Sequence, residues 1–236
     1  MLRPLTEISP EPAPPSATTK VRTAFLFALA AGAAAALAVD LPIARWLGKS
    51  PSPLPKDLLH VIHWSEAFAH AIGVGVIALA IGLLDPARRV ALPRLLTMSW
   101  GSGLIADLLK LSIVRLRPKE FDFTGGVFET FGPLGNFGNG HGSQSFPSAH
   151  SAVAVGLAVA LCHFYPRGRW LFIALAVLAC SQRMESGAHF LSDVLAGATV
   201  GYLFANGCIG NSWLARRFDR WEAAWQERSS LGTLAD

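Results

Sequence analysis

Residues 183–193 read R-M-E-S-G-A-H-F-L-S-D, which sets Arg183, His189 and Asp193 at the edge of an otherwise apolar segment. Ionisable side chains at membrane depth are costly, so they mark a functional site by default. His189 and Asp193 are four apart and on a helix would share a face. There the carboxylate could hold the imidazole in one tautomer and leave the other ring nitrogen free to attack. Arg183 adds a planar cation suited to phosphate. The plainer account is a helix-start histidine beside a salt-bridged surface pair.

Two more clusters precede it. Lys110 and Arg117 are seven apart, about two helical turns, and can face the same way. Pro118 biases Arg117 out of the helix and into an extended form. Juxtamembrane basic charge is the alternative for this pair. Pro147-Ser148-Ala149-His150 follows. Pro147 suits a first helical turn. The N–H groups of Ser148 and Ala149 would then form an anion site at a helix N-terminus. The Ser148 hydroxyl is a further donor, and His150 can serve as a general acid. A capped helix with an interfacial histidine is the alternative.

The elements that must position these residues are apolar. The chain has 236 residues, 52% hydrophobic and 15% charged, with mean hydropathy +0.40. That is too apolar for an ordinary soluble domain. At roughly 20 residues per crossing, six spans are expected, near 23–39, 67–84, 91–109, 147–164, 170–182 and 189–208. Residues 1–19 carry five prolines and read as a disordered tail. Residues 20–208 form the transmembrane domain, with the motifs at 110–193, and 209–236 read as a polar cytoplasmic tail. The first span, after Lys20 and Arg22, competes with a cleaved signal peptide. Retaining it gives an even number of spans.

Six spans place Lys20, Arg22, Arg88, Arg89, Arg94, Arg167, Arg169, Arg216, Arg217 and Arg220 on one side, which marks it as cytoplasmic. Lys110, Arg117, His150, Arg183 and His189 then meet on the outward face. The net charge of +4 is explained by these loops, and no nucleic-acid partner is expected. Cys162, Cys180 and Cys208 lie in apolar segments without paired spacing, so neither a disulfide framework nor a zinc site is expected. His60, His63, Glu66 and His70 recur at near-helical spacing. They read as the polar face of an amphipathic surface segment rather than a metal site. The long Gly- and Phe-rich loop 119–146 is expected to shape the head-group pocket.

Together the three clusters resemble the type 2 phosphatidic acid phosphatase superfamily, which includes membrane lipid phosphatases and vanadium haloperoxidases. Its signature is a lysine, six residues and Arg-Pro, then Pro-Ser-Gly-His, then Ser-Arg, five residues, His, three residues and Asp. This chain has Lys110 with Arg117-Pro118, then 147–150, then Arg183, His189 and Asp193. Two positions depart from the signature. Ala149 replaces glycine, and Gln182 replaces the serine before the arginine, with Ser181 one place early. The resemblance covers about residues 60–208.

The resemblance implies an all-α, six-span transmembrane helical bundle and a phosphoric monoester hydrolase without cofactor or metal. His189 would attack phosphorus and form a phosphohistidine, Asp193 would orient it, and His150 would protonate the leaving alkoxide. Lys110, Arg117, Ser148, the Ala149 N–H and Arg183 would hold the phosphoryl oxygens. The partner implied is a lipid phosphate of the phosphatidic acid or phosphatidylglycerophosphate type. It would be met at the outer leaflet of the cell (inner) membrane, with the site facing the periplasm or exterior. Undecaprenyl diphosphate, lipid A, transfer to an alcohol and haloperoxidase chemistry are the rival readings. Oligomeric state is not indicated.

Overall fold

A computed structural model describes residues 17–132 and 144–232. These residues are helical throughout their regular structure, apart from isolated bridges from Arg115 to Phe131 and Gln144. Helix α1, Ala17–Ala36, is rich in alanine and packs along α9, Leu191–Gly207. Its first turn takes in 17–19, which the sequence assigned to the tail; the remainder of that tail lies outside the described residues. Helix α2, Asp40–Leu47, turns 76° away from α1.

Helix α3, Lys56–Trp64, is the expected amphipathic segment, and it meets α4, Ala71–Leu84, at 73°. The break falls at His70, which is extended and caps α4 by accepting the Ile72 N–H on Nδ1 at 3.3 Å. Helices α5, Leu92–Leu96, and α6, Ser102–Lys110, are joined through a π-helical turn at Thr97–Gly101.

Helix α7, Ala149–Phe164, sits at the centre among α6, α9 and α8, Arg169–Glu185. Alanine and glycine on α7 allow this on several sides at once. The approach to α9 is closest at Gly197 and Gly201. A Cβ there would lie 2.2 Å from the Ser148 carbonyl oxygen and 2.4 Å from that of Ala152. No side chain fits at that distance, so these two glycines hold the start of α7 against the middle of α9.

Among the described residues, no single helix is long and apolar enough to cross a membrane. The bent pairs at 22–47 and 56–84 pass by length and composition together. These helices do not by themselves establish six spans: the second is shortened at His70 and the third carries the π-turn. The fifth extends past the expected 182 to Glu185. Large apolar side chains nevertheless face outward on α4 and α8, among them Ile72, Leu79, Leu83, Leu171 and Val177. Exposed apolar surface of this kind is what a lipid environment covers.

Much of the expected polar tail forms helix α10, Trp213–Gly232. Its Leu214 and Phe218 pack on the core. Arg94, expected as an exposed loop charge, is buried beneath it and pairs with Asp219 at 2.5 Å and Glu222 at 2.8 Å. A buried guanidinium is tolerated only with such compensation. Burial pushes the Glu222 carboxyl above its usual range, and Arg94 opposes that shift.

Candidate functional site

Three helix ends and one extended segment bring the chemistry-bearing residues to one end of the bundle. Lys110 closes α6, with Nζ 3.2 Å from Asp107. Arg117 is extended at φ −80°, ψ 151°, as Pro118 requires, and its Nε is buried with no partner among the described residues. The following backbone docks on the turn after α8, with the Lys119 N–H donating to the Gly187 carbonyl at 3.1 Å. Gly187, at φ +62°, occupies the left-handed region that favours glycine.

Arg183 is buried in the last turns of α8. It donates to Glu66 at 2.6 Å and, through Nε, to Gln182. Gln182 reaches the other Glu66 oxygen at 3.3 Å. The glutamine that departs from the signature therefore helps to fix the arginine, while Ser181 bonds back to its own helix at Val177. Glu66, read from sequence as part of an interfacial polar face, comes into the site on the 3-10 turn before His70. The Arg183 carbonyl also accepts the His189 N–H at 3.1 Å, which folds the turn back on itself. His150, in the first turn of α7, lies within electrostatic reach of Arg183, His189, Lys110 and Glu66. The His70 ring is 6.2 Å from it.

The structure thus gathers His150, His189, Asp193, Arg183 and Lys110, with the Arg117 backbone segment and the Ser148–Ala149 turn beside them. Two local expectations change. Pro147 lies before the N-cap, not inside the first turn, and Ser148 is the cap. The Ser148 N–H is taken by the Asp193 carbonyl at 3.0 Å and its hydroxyl accepts from Ser151. Ser148 therefore ties α7 to α9 and caps the Ser151 N–H, which leaves the Ala149 and His150 N–H groups of the first turn for an anion. His189 also precedes α9 rather than sharing a helical face with Asp193. The capping geometry explains this, since Asp193 Oδ2 accepts the Phe190 N–H at 2.8 Å and fixes the N-cap at Phe190, one residue beyond His189.

Sequence reasoning missed the network on the Asp193 side. Arg115 is fully buried and donates to Asp40 at 2.7 Å, Ser192 at 2.7 Å, Thr130 at 3.1 Å and Asp193 Oδ1. The Phe131 and Phe190 rings each lie 4.4 Å from its guanidinium carbon. Asp40 in turn accepts the Ser192 N–H at 2.9 Å. Ser145 donates to Asp193 Oδ2 at 2.6 Å. The available signals were Asp40 at the end of an apolar run and Arg115 amid apolar neighbours, two residues before the motif arginine. The middle of the loop expected to shape the head-group pocket, 133–143, lies outside the described residues.

The sequence is 42% identical over 106 residues to a lipid A 1-phosphatase of Rhizobium johnstonii, covering 44% of this chain and 41% of that protein. It is 29% identical over 158 residues to a lipid A 4'-phosphatase of Bacteroides thetaiotaomicron, covering 63% and 58% respectively. The chain thus spans less than two thirds of these curated relatives. The fold matches the transmembrane phosphatidylglycerolphosphate phosphatase of Bacillus subtilis with a TM-score of 0.53 at 22% identity, over 85% of this chain and 95% of that one. At that identity the likeness speaks for the fold. Residues 91–217 match the family model of the PAP2 superfamily.

Proposed function

The chain belongs to the PAP2 superfamily, and on that premise we propose that it is a membrane phosphatase that hydrolyses a lipid phosphate monoester through a phosphohistidine. The observation that carries this reading is the convergence of His150, His189, Arg183 and Lys110 at one end of the bundle. Nearby, Arg117 has a buried, unpartnered Nε. Phosphoryl transfer spreads charge over equatorial oxygens, and catalysis is largely positioning plus positive charge. Lys110, Arg117, Arg183 and the first N–H groups of α7 supply that charge. His189 attacks, His150 gives a proton to the departing oxygen, and the same His150 then takes one from water as the phosphohistidine is hydrolysed. Asp193 and Glu66 are engaged by Arg115, Ser145 and Arg183, so this chemistry draws on fixed cations and not on a divalent metal.

A lipid substrate is supported by the apolar groove beside the site. It is walled by Phe25, Leu29, Met184, Leu191, Leu195 and Tyr202, with Met184 and Leu191 adjoining the residues that hold the phosphate. The basic bias of the opposite loops supports an outward-facing site in the inner membrane. Within the lipid phosphates, the aligned lipid A phosphatases favour a lipid A phosphate over the glycerophosphate head groups that the motifs alone suggest.

The test is phosphate release by purified full-length protein from lipid A, phosphatidic acid, phosphatidylglycerophosphate and undecaprenyl diphosphate, each in excess EDTA. Turnover of lipid A above the others is the expected result, with EDTA without effect and vanadate inhibitory. A strict need for added Mg²⁺ or Zn²⁺, or no release from any lipid, overturns the reading.

A further inference from the structure

Asp193 makes no direct hydrogen bond to His189. Its Oδ2 is 3.8 Å from Nδ1, beyond hydrogen-bonding distance. Both carboxylate oxygens are engaged elsewhere. Oδ1 accepts from Arg115, and Oδ2 accepts from the Ser145 hydroxyl at 2.6 Å and the Phe190 N–H at 2.8 Å. Ser145 itself lies closer to Nδ1 than Asp193 does, with its Oγ 3.4 Å away.

A hydroxyl has one proton and two lone pairs. Two acceptors compete for the Ser145 proton: the Asp193 carboxylate at 2.6 Å and the Ala188 carbonyl at 3.3 Å. The shorter contact to a charged oxygen wins. A lone pair is then left facing His189, and it can only receive a proton donor. We infer that Ser145 is a positioning residue, a buried hydroxyl that accepts from His189 Nδ1–H and donates to Asp193. It would thereby fix the tautomer whose Nε2 is free to attack. This rests on the proposed role of His189 as nucleophile.

The local fold holds Ser145 for that task. It is fully buried, and its N–H donates to the Arg115 carbonyl at 3.0 Å. Arg115 is itself held by Asp40, Ser192, Thr130 and Asp193, so the hydroxyl and its acceptor hang from one rigid frame. During attack, Nε2 bonds to phosphorus as the bond to the leaving oxygen breaks and His150 protonates that oxygen. The ring becomes cationic while keeping its Nδ1 proton. The carboxylate feels that charge through the oriented hydroxyl, and no proton moves along the relay.

The experiment uses full-length protein in detergent, with p-nitrophenyl phosphate and short-chain phosphatidic acid as probes. Wild type and His189→Ala are first compared for phosphate release and acid-labile phosphoprotein. Failure there removes the phosphatase reading itself, independently of Ser145. With wild type active, Ser145→Ala is expected to lower kcat roughly 10- to 100-fold, the effect of losing a hydrogen bond to a charged group, with KM nearly unchanged. Ser145→Thr restores much of the rate. Ser145→Ala combined with Asp193→Asn is no slower than Asp193→Asn alone, since both cut one relay. Ser145→Cys keeps the volume with a weaker donor and gives the same readout should the alanine protein not fold. Wild-type kcat in a folded Ser145→Ala protein overturns the inference. So does a defect confined to KM, or additive losses in the double variant, which would mean that Asp193 closes directly onto His189.

Discussion

Arg115 and Arg183 flank the same histidine and are used in opposite ways. Arg115 donates to four side chains, is covered by two phenyl rings and is wholly removed from solvent. Arg183 holds one carboxylate, Glu66, whose side chain is 42% exposed. Arg117, near it, has a buried nitrogen with no partner among the described residues. The Asp193 side is saturated and therefore rigid. On the proposed mechanism the other side carries the cations that an arriving anion would claim, because the partly exposed Glu66 can turn into water at little cost. A phosphatase needs both kinds of surface, one to aim the nucleophile and one to exchange substrate for product.

The largest expected effect falls where the two sides meet. His189→Ala should lower turnover of every substrate by roughly 10³-fold or more and abolish acid-labile phosphoprotein. Retained trapping would place the nucleophile elsewhere. His150→Ala sharpens the division of labour on the phosphate side. Its loss should be about 10²–10⁴-fold on a lipid phosphate with an alkoxide leaving group and much smaller on p-nitrophenyl phosphate. Equal losses on both would remove the general-acid role.

The direct test of the contrast is a matched pair. Arg115→Met leaves Asp40 and Asp193 buried without their cation and should cost about 3–5 kcal/mol of stability, read as a collapse of thermal unfolding temperature in detergent. Arg183→Met should melt near wild type and lose kcat/KM instead. If the two variants melt alike, the distinction between a saturated and an exchangeable side fails. The smallest effect belongs to Glu66→Gln. The exposed partner of an ion pair contributes at most about 1 kcal/mol, so stability should barely change. Inhibition by vanadate or inorganic phosphate should tighten, because the anion no longer displaces a carboxylate from Arg183. Unchanged or weaker inhibition would mean that Glu66 holds Arg183 in place rather than competing for it.

The sequence was most legible where chemistry is spelled by spacing. Lys110, His150, Arg183, His189 and Asp193 do converge, and the extended Arg117 follows from Pro118 alone. The helical class followed from hydropathy. Breaks within apolar runs were not legible, because a π-turn at 97–101 or a cap by His70 leaves hydropathy unchanged. The frame around Arg115 was hidden for another reason: Asp40, Arg115 and Thr130 lie far from Ser192 and Asp193 in sequence, 152 positions in the case of Asp40 and Ser192, and none of the three belongs to the motif that holds those two. The packing of helix α10 was not legible because a charged stretch looks the same whether it is solvated or, like Asp219 and Glu222, turned onto a buried arginine.

That separation has a consequence for how the protein is made. Asp40 is synthesised early and must wait for Ser192, on α9, before its hydrogen bonds can form. Arg115 likewise waits for Asp193. Contacts so distant in sequence are the slow ones to establish. A nascent chain whose first helices are already made therefore has an unassembled site, and His189, the proposed nucleophile, arrives late. On the proposed mechanism, reactivity begins only once α9 has docked on the earlier helices, so a chain stalled before Asp193 should be inert.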